Sequence, residues 1–309
     1  MKLLLLGANG QVGFELARSL MPLGELHCAT RGGKRPSGLP LRHAIVDLAN
    51  PETLGNTLHE LEPDIVVNAA AYTAVDRAED EENLAERINH HALTVLGAWA
   101  KRSQALVVHY STDYVFDGTA LDPQTEEQPT SPLGVYGASK LAGEVLLRDS
   151  GAGHLIFRTS WVYAPQGKNF PLTILRLAHE RDTLNVVSDQ VGAPTPAGLI
   201  ARATVEALAA ASADRGKLGL YHLAPTGETS WHHLAQYLVA DAIAEGAQLK
   251  LMPEAIVPIL ARDYPTKALR PANSRLDTSK LRAAFGLTLP PWQEGIRQLI
   301  RTLKTEGRL

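Results

Sequence analysis

Apolar residues along the first half of the chain fall into two alternating patterns. Unbroken runs at 2–7 (KLLLLG), 25–30 (ELHCAT), 64–71 (DIVVNAAA), 105–113 (ALVVHYSTD) and 154–162 (HLIFRTSWV) read as strands, since a strand covered on both faces shows no polar alternation. Between them the apolar positions recur at helical spacing. Val12, Leu16 and Leu20 share one face of a helix over 12–21, and a longer helix is predicted over 85–102. Asn50, Pro51 and Glu52 supply an N-cap, a first-turn proline and an acidic first turn, so a further helix runs over 51–61.

Alternation of this kind builds an α/β fold, a doubly wound, Rossmann-like parallel sheet with helices on both faces. Beyond residue 165 the pattern loosens. Prolines and glycines concentrate at 192–198, 265–274 and 289–291, between shorter helices over 230–245 and 292–304. The expected division is a nucleotide-binding domain over 1–165 that carries the catalytic residues, and a smaller mixed α/β substrate-binding portion over 166–309 interleaved with it.

Composition works mainly by exclusion. The 309 residues are 45% hydrophobic and 20% charged, with a net charge of −3, which is ordinary for a globular protein and argues against nucleic acid as a partner. No stretch approaches the ~20 apolar residues of a membrane span, and MKLLLL at the start is too short for a signal-peptide core. Cys28 is the single cysteine, so no internal disulfide can form. A cytoplasmic protein with no membrane partner is expected.

The segment LLLLGANGQVGFEL adds chemistry. Gly7, Gly10 and Gly13 follow the first strand and open the first helix, where glycines let the backbone approach a pyrophosphate and the helix N-terminus offers free N–H groups. The end of the second strand selects the ribose in such folds: an acid holds the 2′-hydroxyl of NAD, a basic group suits the 2′-phosphate of NADP. Here Thr30 and Arg31 occupy that place, with Lys34 and Arg35 close behind. Arg31 can pair with a phosphate through a charge-assisted bond, so NADPH is the expected cofactor, with NADH left open.

In SPLGVYGASKLAGE, Tyr136 and Lys140 stand four apart, on one face of a helix. An ammonium beside a phenol is expected to lower the phenol's pKa toward a useful range. Three other features carry no chemistry in this reading. His90-His91 and His232-His233 are adjacent pairs whose side chains diverge on an α-helix, and no Cys or His spacing specifies a metal site. The acidic run at 79–83 reads as a solvated first turn.

Taken in order, GANGQVG, NAAAYTAVD, HYSTDYVFDG and YGASK resemble the extended short-chain dehydrogenase/reductase superfamily. RTSWVY (158–163), SDQVGAPT (188–195) and LRPANSRLDTSKL (269–281) narrow the resemblance to the dTDP-4-dehydrorhamnose reductases, over essentially the whole chain. That resemblance implies NADPH-dependent reduction of a nucleotide sugar, a step toward bacterial surface polysaccharide such as lipopolysaccharide O-antigen. It implies a catalytic trio of Thr112, Tyr136 and Lys140, and a cofactor lined by Gly10, Gln11, Val12, Tyr110, Tyr136 and Lys140. Asp47 and Leu48, together with Ala71, Tyr72 and Thr73, complete that lining.

Asp113 and Trp161 fall on the sugar-nucleotide side by the same resemblance, and Arg270 is the candidate for the pyrophosphate. The resemblance also associates magnesium with a subunit contact and leaves a homodimer open, although no acidic cluster in the sequence specifies the ion. Two other readings are a sugar-nucleotide 4-epimerase of the same superfamily, and a regulatory subunit of a methionine adenosyltransferase. Thr30-Arg31 and the downstream motifs count against the first, and the complete trio against the second.

Overall fold

The computed structural model describes residues 1–33 and 42–309; Lys34 and Arg35 fall outside them. Seven parallel strands form the central sheet: β1 (Lys2–Leu6), β2 (Glu25–Thr30), β3 (Arg42–Ile45), β4 (Ile65–Asn68), β5 (Leu106–Thr112), β6 (Gly153–Thr159) and β7 (Gly219–His222). Their spatial order is 3-2-1-4-5-6-7, so the direction of winding reverses between β1 and β4. The unbroken run of leucines in β1 follows from burial on both faces. Leu3 and Leu5 pack under the helices Gln11–Leu20 and Ala197–Ala213, while Leu4 and Leu6 pack under Pro51–Leu61 and Ala92–Ser103.

A third core forms a second body. The helices Phe170–Glu180, Trp231–Ala244 and Trp292–Thr305 close around a parallel pair of short strands, Leu184–Val187 and Ile256–Ile259. The chain passes between the two bodies more than once. A single division at residue 165 therefore misplaces Ala197–Ala213 and β7, which cover and extend the central sheet.

Several elements differ from their sequence pattern at their ends. The strand expected over 64–71 stops at Asn68, and that expected over 154–162 stops at Thr159. Beyond these ends Ala69, Ala70 and Ala71, and likewise Trp161 and Val162, line a cavity. The helix expected over 85–102 starts earlier, at Glu82, and is interrupted by a π-turn over Arg87–His91 before it continues over Ala92–Ser103. Within that turn the buried Asn89 accepts a hydrogen bond from Tyr72 N–H at 2.8 Å and donates to Tyr72 O and Ser139 Oγ, both at 3.1 Å.

Candidate active site

A cavity of about 820 Å³ opens beyond the C-terminal ends of β1, β4 and β5, at the switch point where such sheets bind ligands. Its floor is the turn after β1. Gly7 has φ +77°, and a Cβ there would lie 2.7 Å from Ala70 N. Gly13 does not line the cavity: a Cβ on it would sit 2.1 Å from Gly7 O, so it is the contact that lets the helix start flush against the turn. Gly7, Gly10, Gln11 and Val12 line the floor, and the N-terminus of Gln11–Leu20 opens onto it.

Arg31, Asp47 and Leu48 form one wall, and Ala71 and Thr73 another. Thr30 is buried outside the cavity, its hydroxyl 2.9 Å from His43 Nε2. Tyr72 also lies outside: its hydroxyl donates to Glu81 Oε2 at 2.6 Å while its backbone is held by Asn89. Tyr72 thus fixes the loop between Ala71 and Thr73. Tyr110 reaches the cavity, yet its hydroxyl is 2.8 Å from Thr204 Oγ1, in the core.

The acidic run corrects its expected role. Glu79 Oε1 accepts a hydrogen bond from Val135 N–H at 2.9 Å and so caps the helix Val135–Asp149 that carries Tyr136 and Lys140. Glu81 anchors Tyr72 and pairs with Arg77. Val135 is 56 residues from Glu79, and Tyr72 lies in a loop outside the helix of Glu81, so local pattern alone reads these carboxylates as solvated.

Tyr136, Lys140 and Thr112 meet in the cavity. Tyr136 is hydrogen-bonded to Thr112, and burial pushes its phenol up to about 12. Thr112 Oγ1 also donates to Asp113 Oδ1 at 3.1 Å and accepts from Tyr114 N–H. The ammonium does not lower the phenol as its position one turn away suggests. Lys140 Nζ is directed instead to Tyr110 O at 2.5 Å and His109 Nε2 at 3.2 Å. Burial lowers Lys140 to about 7, against the opposing charge of Glu144.

Asp113 is buried at the same end of β5, and burial raises its carboxyl to about 6, with the Ser274 and Thr112 hydroxyls opposing. The sign of its effect follows. Below pH 3.8 the group is neutral folded or unfolded; above about 6 it is charged in both, and only the folded state bears the desolvation. Its contribution to stability therefore falls as pH rises from about 4 to about 6. Asp113→Asn is expected to raise stability by about 2–3 kcal/mol at pH 8 and by almost nothing at pH 3.5, read as paired denaturant titrations.

Trp161 lines the cavity from a left-handed backbone, φ +50°, and stacks on Trp231 with ring centroids 3.5 Å apart. Trp231 also lines a second, open cavity of about 1020 Å³ on the smaller body. Arg270 belongs to that second cavity, where it pairs with Asp76 at 2.8 Å, and does not reach the first. Ser111, Thr159, Lys168 and Trp231 are among the lining residues that the sequence did not single out. Ser111 Oγ and Thr159 Oγ1 are buried without a hydrogen-bond partner among the described residues, which marks the cavity as built for a polar occupant. Ser111 and Thr159 sit inside quoted motifs; Lys168 and Trp231 belong to none, and only the fold brings them in.

One expectation about metals also changes. Among the described residues, Glu86, His90 and His91 place their ligand atoms within 4.8 Å of one another. The π-turn is the reason the adjacent histidines do not diverge. Two imidazoles and one carboxylate are a poor match for magnesium, which prefers oxygen ligands, so this cluster lends no support to the magnesium expected at a subunit contact.

A glycine turn at the switch point, with threonine, tyrosine and lysine converging above it, is the architecture of an extended short-chain dehydrogenase/reductase. Residues 1–305 match the family model described as RmlD substrate binding domain. The dTDP-4-dehydrorhamnose reductase of Salmonella typhimurium is 47% identical over 305 residues, 99% of each chain, and that of Burkholderia thailandensis 46% identical over 310, covering 99% of this chain and 100% of the relative. The dTDP-4-dehydrorhamnose reductase of Bacillus anthracis, solved in complex with NADP, superposes with a TM-score of 0.83 at 31% identity over 98% of this chain and 99% of that one. The chain belongs to the dTDP-4-dehydrorhamnose reductase family.

Proposed function

We propose that this chain reduces the C4 ketone of dTDP-4-dehydro-L-rhamnose with NADPH to give dTDP-L-rhamnose, in the cytoplasm, for bacterial surface polysaccharide. The observation that carries the proposal is the convergence of Thr112, Tyr136 and Lys140 above the glycine turn, in one cavity. The helix N-terminus above the glycine turn, the wall bearing Arg31 and the hydroxyls of Ser111 and Thr159, which have no partner among the described residues, suit a dinucleotide. When bound, the cofactor supplies the reducing equivalent.

The residues supply the proton and the field. As the ketone is reduced, negative charge grows on its oxygen. Tyr136, with a phenol at about 12, is fully protonated at neutral pH and donates that proton as general acid. Thr112, turning its hydroxyl proton from Asp113 to the same oxygen, stabilises the charge as it forms. Lys140 positions a ribose hydroxyl of the cofactor, and Asp113 and Trp161 take the sugar. Trp231 faces both cavities, so the nucleotide end extends into the second, toward Arg270.

The test is to mix the protein with enzymatically generated dTDP-4-dehydro-L-rhamnose and follow NADPH absorbance, then NADH. Consumption of NADPH with dTDP-L-rhamnose as product supports the reading; NADPH that binds yet stays unoxidised overturns it. Cofactor choice has its own variant. Arg31→Ala is expected to raise KM for NADPH about tenfold or more, the worth of a charge-assisted hydrogen bond, and to leave KM for NADH nearly unchanged. Equal losses with both cofactors would remove Arg31 from the ribose phosphate.

A further inference from the structure

We propose that Glu86, His90 and His91 form a binding site for a borderline divalent cation of the zinc class, on the outer face of the π-turn and separate from the catalytic cavity. The argument begins with spacing. Glu86 and His90 are four apart and share a helix face; His90 Nδ1 already lies 2.6 Å from Glu86 Oε2. His91 is five from Glu86, which in an ordinary α-helix leaves the side chains about 140° apart. A turn closed by i to i+5 hydrogen bonds returns that residue over the first, and the helix has such a turn at Arg87–His91.

The side chains show the result. The His90 and His91 rings are 4.9 Å apart and tilted by 53°, and all three ligand atoms lie within 4.8 Å of one another. Ligands about 2.0–2.2 Å from a shared zinc ion stand about 3.4 Å from each other, so small side-chain rotations close the set. The ion would take the place of the hydrogen bond between His90 Nδ1 and Glu86 Oε2. Two imidazoles and one carboxylate with water in the fourth position is a zinc-type donor set. Arg87, the one cation within the turn, is turned back onto Asn83 O and does not oppose it.

The other adjacent pair is an internal contrast. His232 and His233 lie in the regular helix Trp231–Ala244, where His232 Nε2 is 2.9 Å from Ile256 O and His233 packs edge-on to Trp292. They share sequence adjacency but not the π-turn, and form no ligand cluster among the described residues.

The experiment titrates the tag-free, full-length protein with Co²⁺, reading its visible absorption, and then displaces it with Zn²⁺. One saturable Co²⁺ per chain is expected, displaced by Zn²⁺. His91→Ala and Glu86→Gln should each weaken binding by about 10- to 100-fold or more, the loss usual for disturbing a metal site, while the double variant His232→Ala/His233→Ala leaves it unchanged. No saturable binding, or binding indifferent to both Glu86→Gln and His91→Ala, overturns the site.

Discussion

Replacing Tyr136 with Phe is expected to lower kcat for NADPH oxidation by about 10²- to 10⁴-fold, the range for loss of a positioned general acid. The change removes one oxygen from a partly buried ring that packs edge-on to Tyr114, with ring centroids 5.5 Å apart, and that packing stays. The hydrogen bond to Thr112 is lost, but Thr112 keeps Asp113 and the Tyr114 N–H as partners. Folding and NADPH binding should therefore be close to unaltered, the latter within about twofold by fluorescence quenching. A variant that retains more than about a tenth of wild-type kcat would show that another group delivers the proton.

The largest effect on stability is expected at Arg158. Its guanidinium is buried and makes two bonds to Glu144, Nε to Oε2 at 3.0 Å and Nη2 to Oε1 at 2.5 Å, while its flat face lies over the Phe116 ring at 5.0 Å. Glu144 is fully buried; the other cation in an ion pair with it, Arg148, is half exposed and 3.7 Å away, and Lys140 acts on it only through its charge. Arg158→Met fills similar space but strands that carboxylate without its main partner, and breaking a buried pair in this way costs about 3–5 kcal/mol. For a chain of this length the melting temperature should fall by roughly 5–8 °C. The double variant Arg158→Met/Glu144→Leu should recover most of the loss, because replacing both charges with apolar groups removes the desolvation rather than exposing it. If the double variant is no better than the single, packing over Phe116 is what the arginine contributes.

Local sequence carried much of this molecule. The leucine run of β1 reads correctly because both faces of a parallel sheet are covered, and Asn50 caps its helix by accepting from Glu52 N–H as its position predicts. The glycine turn and the Tyr136–Lys140 pair were also visible, since each depends on neighbours within one turn. The errors share a different cause. Glu79 and Glu81 read as solvated because their partners, Val135 and Tyr72, are set by tertiary contact. The π-turn inserts its extra residue where periodicity offers no warning, and the histidine pair within it changed meaning as a result. Lys140 lies one turn from Tyr136 as expected, yet its charge goes to Tyr110 O and His109, a choice made by strand β5.

The late return of the chain to its first sheet has a consequence during synthesis. When residue 165 has just left the ribosome, β6 has no neighbour on its far side; that place is taken by β7, more than fifty residues later. The Tyr110 hydroxyl likewise has no partner until Thr204 arrives. A nascent chain at this stage presents a bare sheet edge and an uncovered apolar face, the features that invite wrong pairing. The central sheet therefore cannot be completed until β7 has emerged, and a fragment cut at 165 is expected to aggregate, although it contains the whole catalytic trio.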